Sequence, residues 1–226
     1  MLRRIALVSA LVSLLAPPQA RADARADIVD LRHDRSPTRH ELLGWTPAGE
    51  AALRWIVCSE GGERQCRAGV GAFGVGTERV TTTLEHAGYD RLPVADAIAF
   101  IRSERAAIDA LGPLTAGPPA VDGRLAFGVV GGVASEVRAR IVRTPDLDPG
   151  GIVRLAVHAG SRRVELGRAG VAFSIDGLAV AGYPSPDGAR VALVAHVEST
   201  TMCWSFSDLE IVVADVGDVR TRLSTP

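Results

Sequence analysis

The stretch GYPSPDGARVALVAHVES, Gly182–Ser199, reads as strand, tight turn, strand. Pro186 sets φ for the turn, the Asp187 carboxylate can accept a local backbone N–H, and Gly188 takes a left-handed conformation without a Cβ clash. Beyond the turn, Val191, Leu193, Ala195 and Val197 face one way, while Arg190, His196 and Glu198 face the other. A period of two with one apolar side predicts a half-buried antiparallel strand. The next apolar run, LEIVVADV, puts Leu209, Ile211 and Val213 on a shared face and predicts a second strand.

Working toward the N-terminus, short apolar runs recur from Arg124 onward: LAFGVV, SEVRARIV, GIVRLAVHA, RRVELG and AGVAFSI. Turn-rich segments such as TPDLDPGG, HAGSR and SIDGL separate them, as antiparallel strands require. Upstream the period changes. Val94, Ile98, Ile101, Ile108 and Leu111 fall on one helical face, with Pro93 suited to the first turn and Gly112-Pro113 as a stop. One amphipathic helix is therefore expected near 93–111, with Arg102, Ser103, Glu104 and Asp109 on its wet side. LTAGPPAVDG follows as a linker. Residues Leu42 to about Leu84 are β-like, with strands at Leu53–Cys58 and Gly71–Leu84. The fold class is mainly β, a sandwich or paired-sheet domain with one helix.

A weaker echo of the opening stretch, GWTPAGEAALRWIVCSE, runs from Gly44 to Glu60. It keeps Pro47 and Gly49 but has Ala48 at the aspartate position. Both copies carry a serine–acid pair (Ser59-Glu60, Glu198-Ser199) and a nearby cysteine (Cys66, Cys203). Two similar hairpin units, 42–84 and 179–223, would then flank a helix and central strands. The pattern of apolar strand, SPDG, apolar strand, loop and LEIVVADV resembles one repeat of TolB-type β-propellers, over Ala179–Val216 alone. That resemblance implies protein contacts more than chemistry. A propeller needs roughly four to eight blades, and two candidate units do not make one.

The N-terminus, MLRRIALVSALVSLLAPPQARADA, has a basic start, an apolar run from Ile5 to Ala16 and small-x-small sites ending at Ala22 and Ala24. This is the form of a signal peptide, residues 1–24, cleaved near Ala22 or Ala24. The apolar run falls short of the roughly 20 residues that cross a bilayer. A secreted or periplasmic protein is expected, with a polar extended lead-in at 25–41, a single β-rich domain at 42–226 and no membrane span in the mature chain. Lysine and asparagine are both absent, which fits a GC-rich, bacterial genome. A net charge of −1 gives no basic footprint for nucleic acid.

Of the three cysteines, Cys58 and Cys66 flank a short loop, CSEGGERQC. In an oxidising compartment they are the expected disulfide, worth roughly 2 to 3 kcal/mol by loop-closure entropy. Pairing of either with Cys203, or no bridge at all, are the alternatives. GVGAFG, Gly69–Gly74, matches the dinucleotide fingerprint in letters, but VGTERVTTTL after it is β-prone and supplies no helix N-terminus for a pyrophosphate. Glycines in a bent strand explain it. His33, Asp34, His40 and Glu41 lack a metal-ligand spacing, and Asp146 and Asp148 lack the closing glutamate of a calcium loop. No metal or cofactor is expected.

The weak catalytic candidates are His196 and Cys203, which a hairpin would have to bring together as a nucleophile pair. His158 beside Ser161 invites a similar idea, but no G-x-S-x-G elbow accompanies it. A binding or protein-interaction module with an unknown protein partner is the leading expectation. An exported hydrolase using His196 with Cys203, or an envelope structural protein, are the alternatives.

Overall fold

Most of the apolar segments become strands, although LAFGVV yields only the two-residue strand Val129–Val130 after a 3-10 turn, and RRVELG and the start of AGVAFSI form one strand; the sheets stack in layers. A computed structural model describes residues 39–59, 65–86, 104–143, 151–172, 174–200 and 205–225, all within the unit Arg35–Pro226. The N-terminal sheet is a meander of β1 (Arg39–Trp45), β2 (Ala51–Ser59), β3 (Gln65–Gly74) and β4 (Thr77–His86). β1 begins inside the stretch read as lead-in. After α1 (residues 104–110) come β5 (Val121–Asp122) and a 3-10 turn at Gly123–Leu125. The outer sheet follows, a meander of β6 (Val129–Val130), β7 (Val133–Arg143), β8 (Gly151–Ala159) and β9 (Arg162–Ala172). The last strands are β10 (Gly177–Pro184), β11 (Arg190–Thr200) and β12 (Ser205–Asp215), and α2 (Val216–Ser224) closes the described chain. They form the central sheet in the order β12–β11–β10–β5. All three sheets are antiparallel and none closes into a barrel or propeller.

β11 lies at the heart of the stack. Its Val191, Leu193, Ala195 and Val197 pack with Val137, Val153, Leu155 and Val157 of the outer sheet. Its Ala192 and Val194 pack with Trp45, Ala51, Leu53 and Phe73 of the N-terminal sheet. The strand is therefore buried on both faces, not half-buried as its alternation predicts. Ala192 and Val194 are small enough to let a second sheet approach. A third apolar layer on the far side of the N-terminal sheet joins Ala52, Val70 and Ala72 to Ala107 and Leu111 around α1.

α1 ends as expected: the Gly112 N–H donates to Asp109 O at 3.2 Å, with Gly112 at φ +79°. Residues 93–103 of the expected helix lie outside the described residues. Glu104, expected on the wet side, is half-buried, with its carboxylate 3.8 Å from Arg54 Nη1 of β2. The expected strand Gly71–Leu84 is divided by a reversal at Val75–Gly76, where Gly76 has φ +68°. Gly69–Gly74 lie in β3, whose register slips between Val70 and Gly71. The Trp55 ring lies over Gly69 and fills the space a Cβ would need.

α2 is not anticipated by the sequence reading, although its signals are present. Asp215 caps it by accepting the Asp218 N–H at 2.8 Å. Val219 and Leu223, one turn apart, are both buried.

The two echoing hairpins pack against each other. In the later turn the Ser185 Oγ accepts the Arg190 N–H at 2.9 Å, Asp187 accepts the Ala189 N–H at 3.0 Å, and Gly188 has φ +70°. The Ser185 hydroxyl and then the Ala189 N–H hold the Asp187 carboxyl below its ordinary range. In the earlier turn Thr46 plays the part of Ser185, with its Oγ1 accepting the Glu50 N–H at 3.2 Å and Gly49 at φ +75°. Arg190 of the later turn donates from Nη1 to Ala48 O at 3.1 Å and Gly49 O at 2.6 Å of the earlier one.

Candidate functional site

His196 sits opposite Ala179 and Leu209 in the central sheet, on the same side of β11 as Ala192 and Val194. Its ring therefore enters the seam between the central and N-terminal sheets, not solvent, and the side chain is 21 % exposed. Nδ1 lies 3.9 Å from Glu198 Oε1. Nε2 is buried and has no hydrogen-bond partner among the described residues.

Across the seam stands His40, inside the stretch 25–41 expected to be a polar extended lead-in. On β1 it pairs with Trp55 and alternates with Leu42, so it faces the central sheet. Its ring meets Tyr183 of β10 edge-on, with centroids 5.8 Å apart and planes at 82°. Burial first, and the charge of His196 second, lower the pKa of His40. Burial, then the charge of Glu41, raise that of Tyr183. Both shifts favour neutral rings. The signal in the sequence was the spacing of His40 and Leu42 ahead of Trp45, which extends an apolar strand face by one polar step.

A cleft of about 350 Å³ opens beside these rings, lined by His40, Leu42, Gly44, Gly117, Pro118 and Tyr183 among others. One wall is the linker, held on β1 by reciprocal bonds, Trp45 N–H to Thr115 O at 2.8 Å and Thr115 N–H to Trp45 O at 2.9 Å. Behind it, the Trp45 ring is buried, and its Nε1 has no acceptor among the described residues. A larger cleft of about 500 Å³ lies between β12, α2 and the Val75–Gly76 reversal. Two of its carboxylates serve α2: Asp215 caps it, and Asp218 faces Arg222 at 3.6 Å, while Glu165 meets Arg154 at 3.0 Å.

A general base must reach the proton it takes, and His196 Nε2 is shut inside the seam. Cys203 lies outside the described residues. Thr200, the end of β11, is four extended residues from His196, roughly 13 Å. Cys58 and Cys66 occupy one register position of the β2–β3 ladder. His33, Asp34, Asp146 and Asp148 lie outside the described residues, and His40 and Glu41 point to opposite faces of β1. Among the described residues no cluster of three or more His, Cys, Asp or Glu could hold a metal.

The sign of the pH dependence follows from His40. Its folded pKa lies below the ordinary value near 6.5, so the unfolded chain takes up the proton first. Stability contributed by neutral His40 is present above that value and is lost as pH falls through and below it. Urea midpoints measured between neutral and mildly acidic pH are expected to fall, and His40→Gln to flatten the fall. A slope unchanged in His40→Gln would assign it elsewhere, first to His158, whose pKa is also lowered from the ordinary histidine value. No protein-family model, curated protein or solved structure matches the chain.

Proposed function

We propose that this chain is an exported binding module that captures a protein partner by strand addition along the outer edge of β1. The observation that carries this reading is an open edge coinciding with a cleft. β1 ends the N-terminal sheet. Among the described residues its outer main-chain groups are engaged only where Trp45 meets Thr115. Edge strands template pairing with another chain, and an added strand places alternate side chains in neighbouring pockets. The cleft beside His40 and Tyr183 would take one apolar side chain against two neutral rings.

A photo-crosslinking residue at Ala120, exposed on the cleft rim, tests this in cells of the source organism. The expected result is one discrete protein adduct, absent when the crosslinker stands at Arg105 on α1 and weakened by Tyr183→Ala. No adduct from Ala120, or the same adduct from both positions, overturns the reading. Rapid alkylation of Cys203 near neutral pH would favour the hydrolase instead, because it would mark a thiolate of depressed pKa.

The export reading draws on the signal-like N-terminus, and the Cys58–Cys66 register supports a disulfide, since directly opposed strand positions fall in its Cα range. The bridge would form by exchange with a disulfide oxidant, whose two sulfurs leave as thiols carrying the cysteine hydrogens. The oxidised protein is expected to be two hydrogens lighter by mass. Reduction is expected to lower stability by about 2 kcal/mol, and a free Cys58 thiol in the exported protein would sink the assignment.

A further inference from the structure

The solvent face of the outer sheet carries arginines in register. Glu136, Arg138 and Arg140 of β7, Arg154 and His158 of β8, and Arg163 and Glu165 of β9 share this face. Arg140 is directly opposite Arg154. Like charges so placed oppose each other. Compensation is sparse: Glu165 alone gathers Arg140 and Arg154 at 3.0 Å and Arg163 at 3.3 Å, while Arg138 turns to Glu136 at 2.9 Å. Among the described side chains, four arginines against two glutamates leave two positive charges in excess on this face of a chain whose net charge is −1. His158 senses that field. Its pKa is lowered by burial and then by Arg138, Arg163 and Arg140, with Glu136 opposing.

An apolar residue borders the same face. Val129 is 66 % exposed and pairs with Ala134, which lies on the Glu136–Arg138 side of β7. The hairpin that presents it is firmly built. Gly131 and Gly132, at φ +59° and +81°, make the two-residue turn between β6 and β7. Its base is held by buried Phe127 and by Ser135, whose N–H and Oγ donate to Gly128 O at 2.8 and 2.6 Å.

We propose that this face docks the chain on an anionic lipid bilayer, with Arg138, Arg140, Arg154 and Arg163 meeting headgroup phosphates and Val129 entering the interface. The inference goes beyond strand addition at β1 and does not rest on it. Charge complementarity selects an anionic occupant. The layout selects a surface over an acidic peptide. Strands about 4.8 Å apart, with outward residues roughly 6.7 Å apart along each, spread the guanidinium groups over a two-dimensional grid. An extended peptide engages one row of such a grid. A bilayer meets every row at once and gives Val129 an apolar medium, the combination that holds peripheral proteins at membranes.

Sedimentation of the full mature chain with vesicles of equal parts phosphatidylcholine and phosphatidylglycerol tests this against vesicles of phosphatidylcholine alone. Binding to the anionic vesicles only is expected, weakening steeply as salt rises. Arg138→Ala and Arg163→Ala should each reduce partitioning roughly fivefold. Val129→Ser should reduce it without altering the salt dependence, and Arg105→Ala should leave it unchanged. All four positions are exposed, and unchanged circular dichroism verifies folding. Absence of binding at low salt makes the face merely solvated and overturns the proposal. So does undiminished binding by Arg138→Ala/Arg163→Ala, or capture of polyglutamate in preference to the vesicles.

Discussion

Trp45→Ala is expected to lower the unfolding free energy by about 4 kcal/mol, whereas Trp45→Phe should stay within about 1.5 kcal/mol of the wild type. Trp45 is 2 % exposed and packs in the seam with Ala51, Leu53, Phe73, Ala192, Val194 and Val213. Alanine would leave a cavity between two sheets that each hold their own hydrogen-bond ladder, so neither can collapse freely into the gap. Phenylalanine keeps most of the volume. It also removes an indole N–H that has no acceptor among the described residues, so no hydrogen bond is lost to offset the gain. Chemical denaturation monitored by circular dichroism measures both variants. A small loss for alanine would mean that the N-terminal and central sheets do not pack through this ring.

The second large effect is expected at the centre of β11. Leu193→Ala should lower stability by about 3 kcal/mol, because the side chain is fully buried against the outer sheet. Its neighbour supplies the sharper test. Ala192→Leu adds apolar surface, and on a half-buried strand it would be tolerated. Here the opposite face is closed by Trp45, Ala51 and Leu53, so overpacking should lower stability by about 2 kcal/mol. Denaturant midpoints for the two variants distinguish a central strand from a surface one. Destabilisation by Leu193→Ala without any from Ala192→Leu would restore the half-buried description.

These neighbours also mark where the sequence was legible. The SPDG reversal could be read because proline, aspartate and glycine act within a few residues of one another. The bend at Val70–Gly71 and the helix stop at Gly112 were legible for the same reason. β11 was legible as a strand but not as a buried one. Ala192 and Val194 stand among Arg190, His196 and Glu198, and alternation alone does not tell a small apolar residue facing solvent from one facing a sheet. α2 was overlooked because the apolar run LEIVVADV continues unbroken into Val216, so the strand masks the cap at Asp215. The meeting of His40 with Tyr183 was beyond local pattern. The two lie on different sheets, and only the stacking order brings them together.

That stacking order has a further consequence for the nascent chain. Apart from the two-residue β5, the middle layer is the last to be synthesised: residues 39–86 and 129–172 leave the ribosome before 177–215. At cellular rates of roughly 5–20 residues per second, the N-terminal sheet waits on the order of 10 s for its partner. Until β11 arrives, two sheets each present an uncovered apolar face. A ribosome that stalls after β9 would therefore release a sticky intermediate in need of a chaperone, not a smaller working domain.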